Sequence, residues 1–324
     1  MRPPPASGEQ HRIRFGVYEA SVANVGATLR SFTRCGRDLI VPFEADEIRP
    51  AMRGAVLAPW PNRIADGRYT FLGVDHQLPI NELELANAAH GLVSWLAFAP
   101  KRRLAHGLEF EATVEPQPGY PWRVRVNVEF ELGAQGLRQR VSATNESPGD
   151  APIGLGGHPY VVAGPAVHRA VDGWTLELPA SEVLLVSGDR LIPVGTTHVA
   201  LHDGGVLDFR VPRAVRDTVV NHAFTALRRG PDGKAHVRVT GADCGIDIAL
   251  HPSVEWVQVY TADTSGSDTI RYGLAIEPMS CPPDAFNSGR DLRVLRSGES
   301  THIEWTLGAF APDCRDHTIP RAIS

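Results

Sequence analysis

Apolar and polar residues alternate along much of this chain with a period of two, and no segment holds a helical period over three turns. The longest unbroken case is residues 123–132, where Val124, Val126, Val128, Phe130 and Leu132 are separated by Arg125, Asn127, Glu129 and Glu131. Successive side chains of a strand point to opposite faces, so this segment predicts a strand with one buried and one wet face. Gly133-Ala134-Gln135-Gly136 turns it back into a second strand over 137–145. Shorter runs between turn residues predict strands at 13–15, 18–24, 27–33 and 39–41, and a hairpin over 68–78. Others follow at 174–178, 182–186, 235–240, 247–250, 254–261 and 301–307. Residues 43–52 and 212–218 have room for short helices at most. Many closely spaced strands without a break in composition predict an all-β chain, one large antiparallel β-sandwich. The expected layout is a disordered tail over residues 1–10, a single domain over 11–308 and a C-terminal extension over 309–324.

Composition narrows the function classes. The chain has 324 residues, is 43% hydrophobic and 21% charged, and carries a formal net charge of -5. That profile is ordinary for a soluble globular protein, and 31 glycines with 26 prolines suit many turns. No basic block is present, so nucleic acid is not an expected partner. The N-terminus lacks an apolar signal region, and no run of about 18 apolar residues predicts a membrane span. A cytoplasmic protein, monomer or homodimer, is expected. Cys35, Cys244, Cys281 and Cys314 form no C-x-x-C pair, and free buried thiols are the expected state.

Two stretches carry candidate chemistry. In Gly154-Leu155-Gly156-Gly157-His158-Pro159-Tyr160, strand alternation puts Gly154, Gly156, His158 and Tyr160 on one face. The glycines would leave room for a flat ligand, and Pro159 restricts His158 to an extended conformation. In residues 270–279, alternation puts Ile270, Tyr272, Leu274 and Ile276 on one face and Arg271, Gly273, Ala275 and Glu277 on the other. A carboxylate on a half-apolar face is costly unless it is solvated, paired or used. His158 and Glu277 are thus a candidate acid and base.

The phrasing of five segments resembles the aldose 1-epimerase (galactose mutarotase) family, and its bacterial subgroup in particular. They are Gly54-Ala55-Val56-Leu57-Ala58-Pro59-Trp60-Pro61-Asn62-Arg63-Ile64, Asn87-Ala88-Ala89-His90-Gly91-Leu92-Val93, Gly157-His158-Pro159-Tyr160, Trp256-Val257-Gln258-Val259-Tyr260-Thr261 and Ala275-Ile276-Glu277-Pro278-Met279. The resemblance runs from about residue 13 to about residue 307. It implies a twisted supersandwich with a sugar cleft in one sheet, and no cofactor. It also implies that His158 donates a proton and Glu277 accepts one, with Asn62, Arg63, His90 and Gln258 contacting sugar. The segment Asn221-His222-Ala223-Phe224 departs from the family's Asp-x-x-Phe run: Asn221 hydrogen-bonds hydroxyls but carries no charge.

Read chemically, opening a hemiacetal needs one proton removed from the C1 hydroxyl and one delivered to the ring oxygen. One acid and one base suffice. His158 would start protonated, favoured by neighbouring carboxylate charge. Arg63 and His90 would stabilise developing negative charge, and Trp60 and Tyr160 are candidates for an aromatic wall. Each has a plainer reading: a surface ion pair for Arg63, a turn residue for His90, a satisfied interior amide for Gln258, a turn cap for Asn221. No His/His/carboxylate spacing suggests a metal site. Alternatives are a non-catalytic carbohydrate-binding protein and an epimerase for a modified sugar, hexose 6-phosphate or sulfo-sugar. For a phosphate, Arg53, Arg68 or Arg271 would serve. A glycoside hydrolase would want a second carboxylic acid in comparable context, and none is evident.

Overall fold

The structure, a computed structural model, describes residues 4–263 and 268–310. Two large sheets dominate it, with neighbouring strands antiparallel. The nine-stranded sheet runs in the order Ala99–Arg103, Gly107–Val114, Val124–Gly133, Gly136–Asn145, Ser300–Phe310, Gly245–Leu250, Ala235–Thr240, Thr175–Glu177 and Arg213–Ala214. The eight-stranded sheet runs Pro193–His198, Ala180–Val186, Asn221–Leu227, Trp256–Tyr260, Leu274–Met279, Gly156–Gly157 and Val56–Leu57, with Tyr160–Val161 also pairing to Leu274–Met279. A four-stranded sheet, Gln10–Phe15, Tyr18–Ala23, Thr28–Arg34 and Arg37–Asp38, covers the N-terminal part.

The period-two pattern explains why the nine-stranded sheet has one dry face. Val124, Val126, Val128, Phe130 and Leu132 are buried, while Arg125, Asn127 and Glu129 between them are half-exposed and Glu131 is exposed. The wet face carries cross-strand ion pairs: Arg125 with Glu146, Arg138 with Glu131 and Glu304, Lys101 with Glu111. At that exposure each is worth about 0–1 kcal/mol, so the buried face holds the sheet in place. Trp305, fully buried on the Ser300–Phe310 strand, reaches across to the other sheet. There a Cβ on Gly157 would lie 2.5 Å from its Cζ2. Gly157 is therefore a packing requirement between the two sheets.

Several expectations are corrected. Residues 4–10 are not a loose tail: Ser7 is buried, its N–H and hydroxyl both donate to the Ala45 carbonyl, and the first strand opens at Gln10. The extension from residue 311 onward, including Cys314, lies outside the described residues. Within 43–52 the only helix is a 3₁₀ turn at Pro50–Met52, and 212–218 holds the short strand Arg213–Ala214 instead. A four-residue α-helix at Ala285–Ser288 was not anticipated. Neither were the strands Ala99–Arg103, Gly107–Val114, Pro193–His198 and Asn221–Leu227. Cys244 and Cys281 are buried free thiols, but Cys35 is exposed, in a turn. No helix among the described residues is long and apolar enough to cross a membrane.

The tryptophan contact yields a stability test. Gly157→Ala forces a methyl group into the buried Trp305 ring, and overpacking of this kind costs about 1–3 kcal/mol. Chemical denaturation should show a lower midpoint with an unchanged slope.

Candidate active site

The site lies on the eight-stranded sheet, and register builds it. Gly156 pairs with Met279, and Tyr160 with Ala275. His158, midway between, therefore stands opposite Glu277. Glu277 pairs in turn with Gln258, and Gln258 with Ala223. One row across the sheet is thus His158, Glu277, Gln258, Ala223. The next row is Tyr160, Ala275, Tyr260, Asn221. Direct cross-strand partners share a face, so both rows present their side chains together.

A second layer supplies the rest. The Arg63–Ala65 strand pairs with Asn87–Ala89, which sets Asn62 beside His90; the His90 N–H donates to the Asn62 carbonyl at 2.8 Å. Both residues adopt left-handed backbone, with φ of 54° at Asn62 and 64° at His90. Gly91 follows in the same region because a Cβ there would lie 2.0 Å from the Ala58 carbonyl oxygen.

All eight candidate residues (Asn62, Arg63, His90, His158, Tyr160, Asn221, Gln258 and Glu277) line one cavity of about 580 Å³. His158 Nε2 lies 3.3 Å from Glu277 Oε1, and the two groups are only 5% and 2% exposed. The His158 ring stacks on Tyr160 at 5.2 Å and meets the His90 ring edge-on at 5.2 Å. The Arg63 guanidinium donates to both oxygens of Glu82 at 2.8 Å, and Asn87 also donates to Glu82. Gln258 Nε2 donates to Asn221 Oδ1 at 2.8 Å, leaving Gln258 Oε1 buried without a partner among the described residues.

Burial dominates the electrostatics. It raises the Glu277 carboxyl to about 8, against a smaller opposing pull from Arg63. It also drives His158 well below the ordinary imidazole range, helped by His90 and by the Arg49 and Arg63 guanidiniums. Burial, with Arg63 and Arg49 nearby, lowers His90 to about 3. Near neutral pH the contact pair therefore holds one proton, and the dry surroundings favour keeping it on Glu277. A carboxylate favouring protonated His158 was expected from the sequence; desolvation outweighs it.

Comparison with known proteins gives the family. Residues 9–307 match the family model described as aldose 1-epimerase. The chain belongs to the aldose 1-epimerase family. The uncharacterized protein YihR of Escherichia coli (strain K12) is 35% identical over 302 residues, covering 93% of each chain. Galactose mutarotase of Mus musculus is 26% identical over 278 residues, covering 78% of this chain and 77% of that one. In fold, the GalM/aldose epimerase homologue from C. elegans superposes with a TM-score of 0.80 at 19% identity, covering 94% of this chain and 99% of that one.

Within this family fold, several expectations change. The room above Gly154 and Gly156 is not open to a ligand: a Cβ on either would meet Pro61, and one on Gly154 also the Cys281 sulfur. The segment is not one continuous strand but short pieces, Ala151–Ile153, Gly156–Gly157 and Tyr160–Val161. His158 and Glu277 stand side by side on the sheet, in direct contact. Trp60 is buried away from the cavity, its indole N–H on the Ala88 carbonyl, while exposed Trp95 lines it. None of the three arginines considered for a phosphate lines the cavity. Arg271 is buried in ion pairs with Asp172 and Asp263, Arg68 bonds Gln77 on the hairpin, and Arg53 is buried beside Tyr160. Glu82, Asn81 and Tyr260 also line the cavity. Glu82, inside Asn81-Glu82-Leu83-Glu84, had no pattern to mark it. Finally, His90, His158 and Glu277 bring ligand-capable atoms within 4.8 Å of one another, which spacing along the chain did not suggest.

The raised Glu277 carboxyl makes stability depend on pH with a definite sign. Its folded-state value, about 8, lies above the ordinary 4.5, so folding takes up a proton between those values. Its stabilising contribution is full below about 4.5 and is lost as pH rises through about 8. Glu277→Gln removes that dependence. The variant should gain on wild type by a few kcal/mol, to order of magnitude, between about pH 5 and about pH 8. Denaturation midpoints across that range measure it.

Proposed function

We propose that the protein is an aldose 1-epimerase, an isomerase that interconverts the α and β anomers of a free aldose. The observation carrying this reading is the 3.3 Å contact between a buried imidazole and a buried carboxyl on the floor of a sugar-sized cavity. The C1 hydroxyl oxygen and the ring oxygen of a hemiacetal share one carbon, so adjacent acid and base groups suit them. Ring opening breaks the bond between C1 and the ring oxygen and makes C1–O1 a carbonyl. Glu277 takes the O1 proton as His158 delivers one to the ring oxygen. After rotation about C1–C2, the transfers run in reverse on the other face.

This cycle needs one proton on the pair and one vacant acceptor, which is the state burial favours near neutral pH. Moving that proton across the contact from Glu277 to His158 sets the pair for the forward step. Asn62, Arg63, His90, Asn221 and Gln258 offer donors and acceptors to the sugar hydroxyls, and the Tyr160 ring backs His158. Arg63, neutralised by Glu82, is a positioned donor more than a free cation.

Polarimetry on pure α-glucose or α-galactose tests the reading. Wild type should speed the approach to anomeric equilibrium, and Glu277→Gln and His158→Asn should each lose roughly 10²–10⁴-fold in kcat. Wild-type rates in both variants would remove these residues from the mechanism. The pH profile carries a sign of its own. Activity should fall as pH rises through about 8, where the pair loses its proton. It should persist below the usual imidazole range, because His158 takes a second proton only well under 6.5. Asn221→Asp addresses sugar choice, and a gain on galactose over glucose would tie that position to selectivity.

A further inference from the structure

We infer that His90, His158 and Glu277 form a three-ligand site for a divalent late-transition-metal ion, and that an ion bound there excludes the sugar. The first part stands on geometry alone; the exclusion rests on the function proposed above. Two imidazoles and a carboxylate facing one open position are a donor set suited to zinc and its neighbours. Their ligand-capable atoms already lie within 4.8 Å of one another. A tetrahedral ion with bonds of ~2.0–2.1 Å holds neighbouring ligand atoms ~3.3 Å apart. His158 Nε2 and Glu277 Oε1 stand 3.3 Å apart. Only His90 must close in, and it stands at the cavity wall with its ring edge-on to His158.

Two further observations point the same way. Glu277 Oε2 is buried with no hydrogen-bond partner among the described residues, so the carboxylate has a second donor atom unspent. The cavity leaves the fourth coordination position to water or solute. Against the ion, Arg49 and Arg63 act on these imidazoles from nearby, and His158 Nδ1, on the side of the ring away from Glu277, lacks among the described residues the outer partner that usually orients a metal-bound histidine. The expected ion is therefore an inhibitor in exchange with solution rather than a resident structural metal. An occupied site would ligate the same nitrogen and oxygen that the proposed proton transfers use.

Calorimetric titration of the full chain with Zn²⁺ tests the site, using wild type, His90→Asn and Glu277→Gln, with circular dichroism confirming that each variant is folded. Asparagine tolerates the left-handed backbone at position 90, so that variant keeps the loop. The tightest wild-type site should bind one ion per chain, and each variant should weaken it roughly tenfold or more. Other ligand-capable groups, such as half-buried His236 and exposed Cys35, remain in all three proteins, so they cancel in the comparison. In polarimetry, Zn²⁺ should raise the wild-type KM with kcat unchanged. Equal titrations in the three proteins overturn the metal site. Tight binding lost in the variants, with inhibition that sugar does not relieve, overturns the exclusion. Variant-sensitive binding in a protein without epimerase activity at any zinc level upholds the site and overturns the proposed function instead.

Discussion

An imidazole and a carboxyl in contact, both largely removed from water, cannot be charged independently. Each charge alone would pay the full cost of desolvation, so the two groups behave as one unit holding one proton. The eight-stranded sheet is what holds the two groups in that contact. The register of Gly156 with Met279 and of Tyr160 with Ala275 brings His158 against Glu277. A slip of either strand by one residue would turn its side chain to the opposite face and part the pair. What fixes the register is not the pair itself. It is the hydrophobic packing below, including Trp305 seated on Gly157.

Other charges near the pair are arranged to stay quiet. Arg63 is answered by both oxygens of Glu82, and Asn87 supports the same carboxylate. Among the described residues no carboxylate pairs with Arg49; it donates to the Thr28 hydroxyl and the Ser94 carbonyl and lies over the Trp95 ring, and burial brings its guanidinium down to about 10. The guanidiniums thus act on the two histidines mainly through their field, and that field adds to the desolvation that keeps the imidazoles neutral.

The sheet architecture was legible in the sequence where a strand has one wet face. Residues 123–145 are the plainest case, because alternation there reports burial directly. It was not legible in strands buried throughout. Leu274–Met279 is buried along its whole length, and the period-two reading wrongly extended one face back to Arg271, which lies in a turn with φ of 55°. The glycines misled for a related reason. A missing side chain signals close approach but does not say of what, and Pro61, Cys281 and Trp305 lie too far along the chain to be paired by eye. The eight candidate residues came mainly from resemblance to a family, not from periodicity. Trp95 and Glu82 had neither signal.

The left-handed backbone at Asn62 and His90 has a consequence for how this chain tolerates change. Such a conformation costs on the order of 1–3 kcal/mol at His90 and less at Asn62, since asparagine visits it more readily, and the sandwich must carry that burden to keep two polar side chains at the cavity wall. Glycine at either place would relax the loop and empty the wall. Heat tolerance and sugar recognition therefore pull these two positions in opposite directions, and a lineage drifting toward higher growth temperature would have to find its extra stability elsewhere in the sheets.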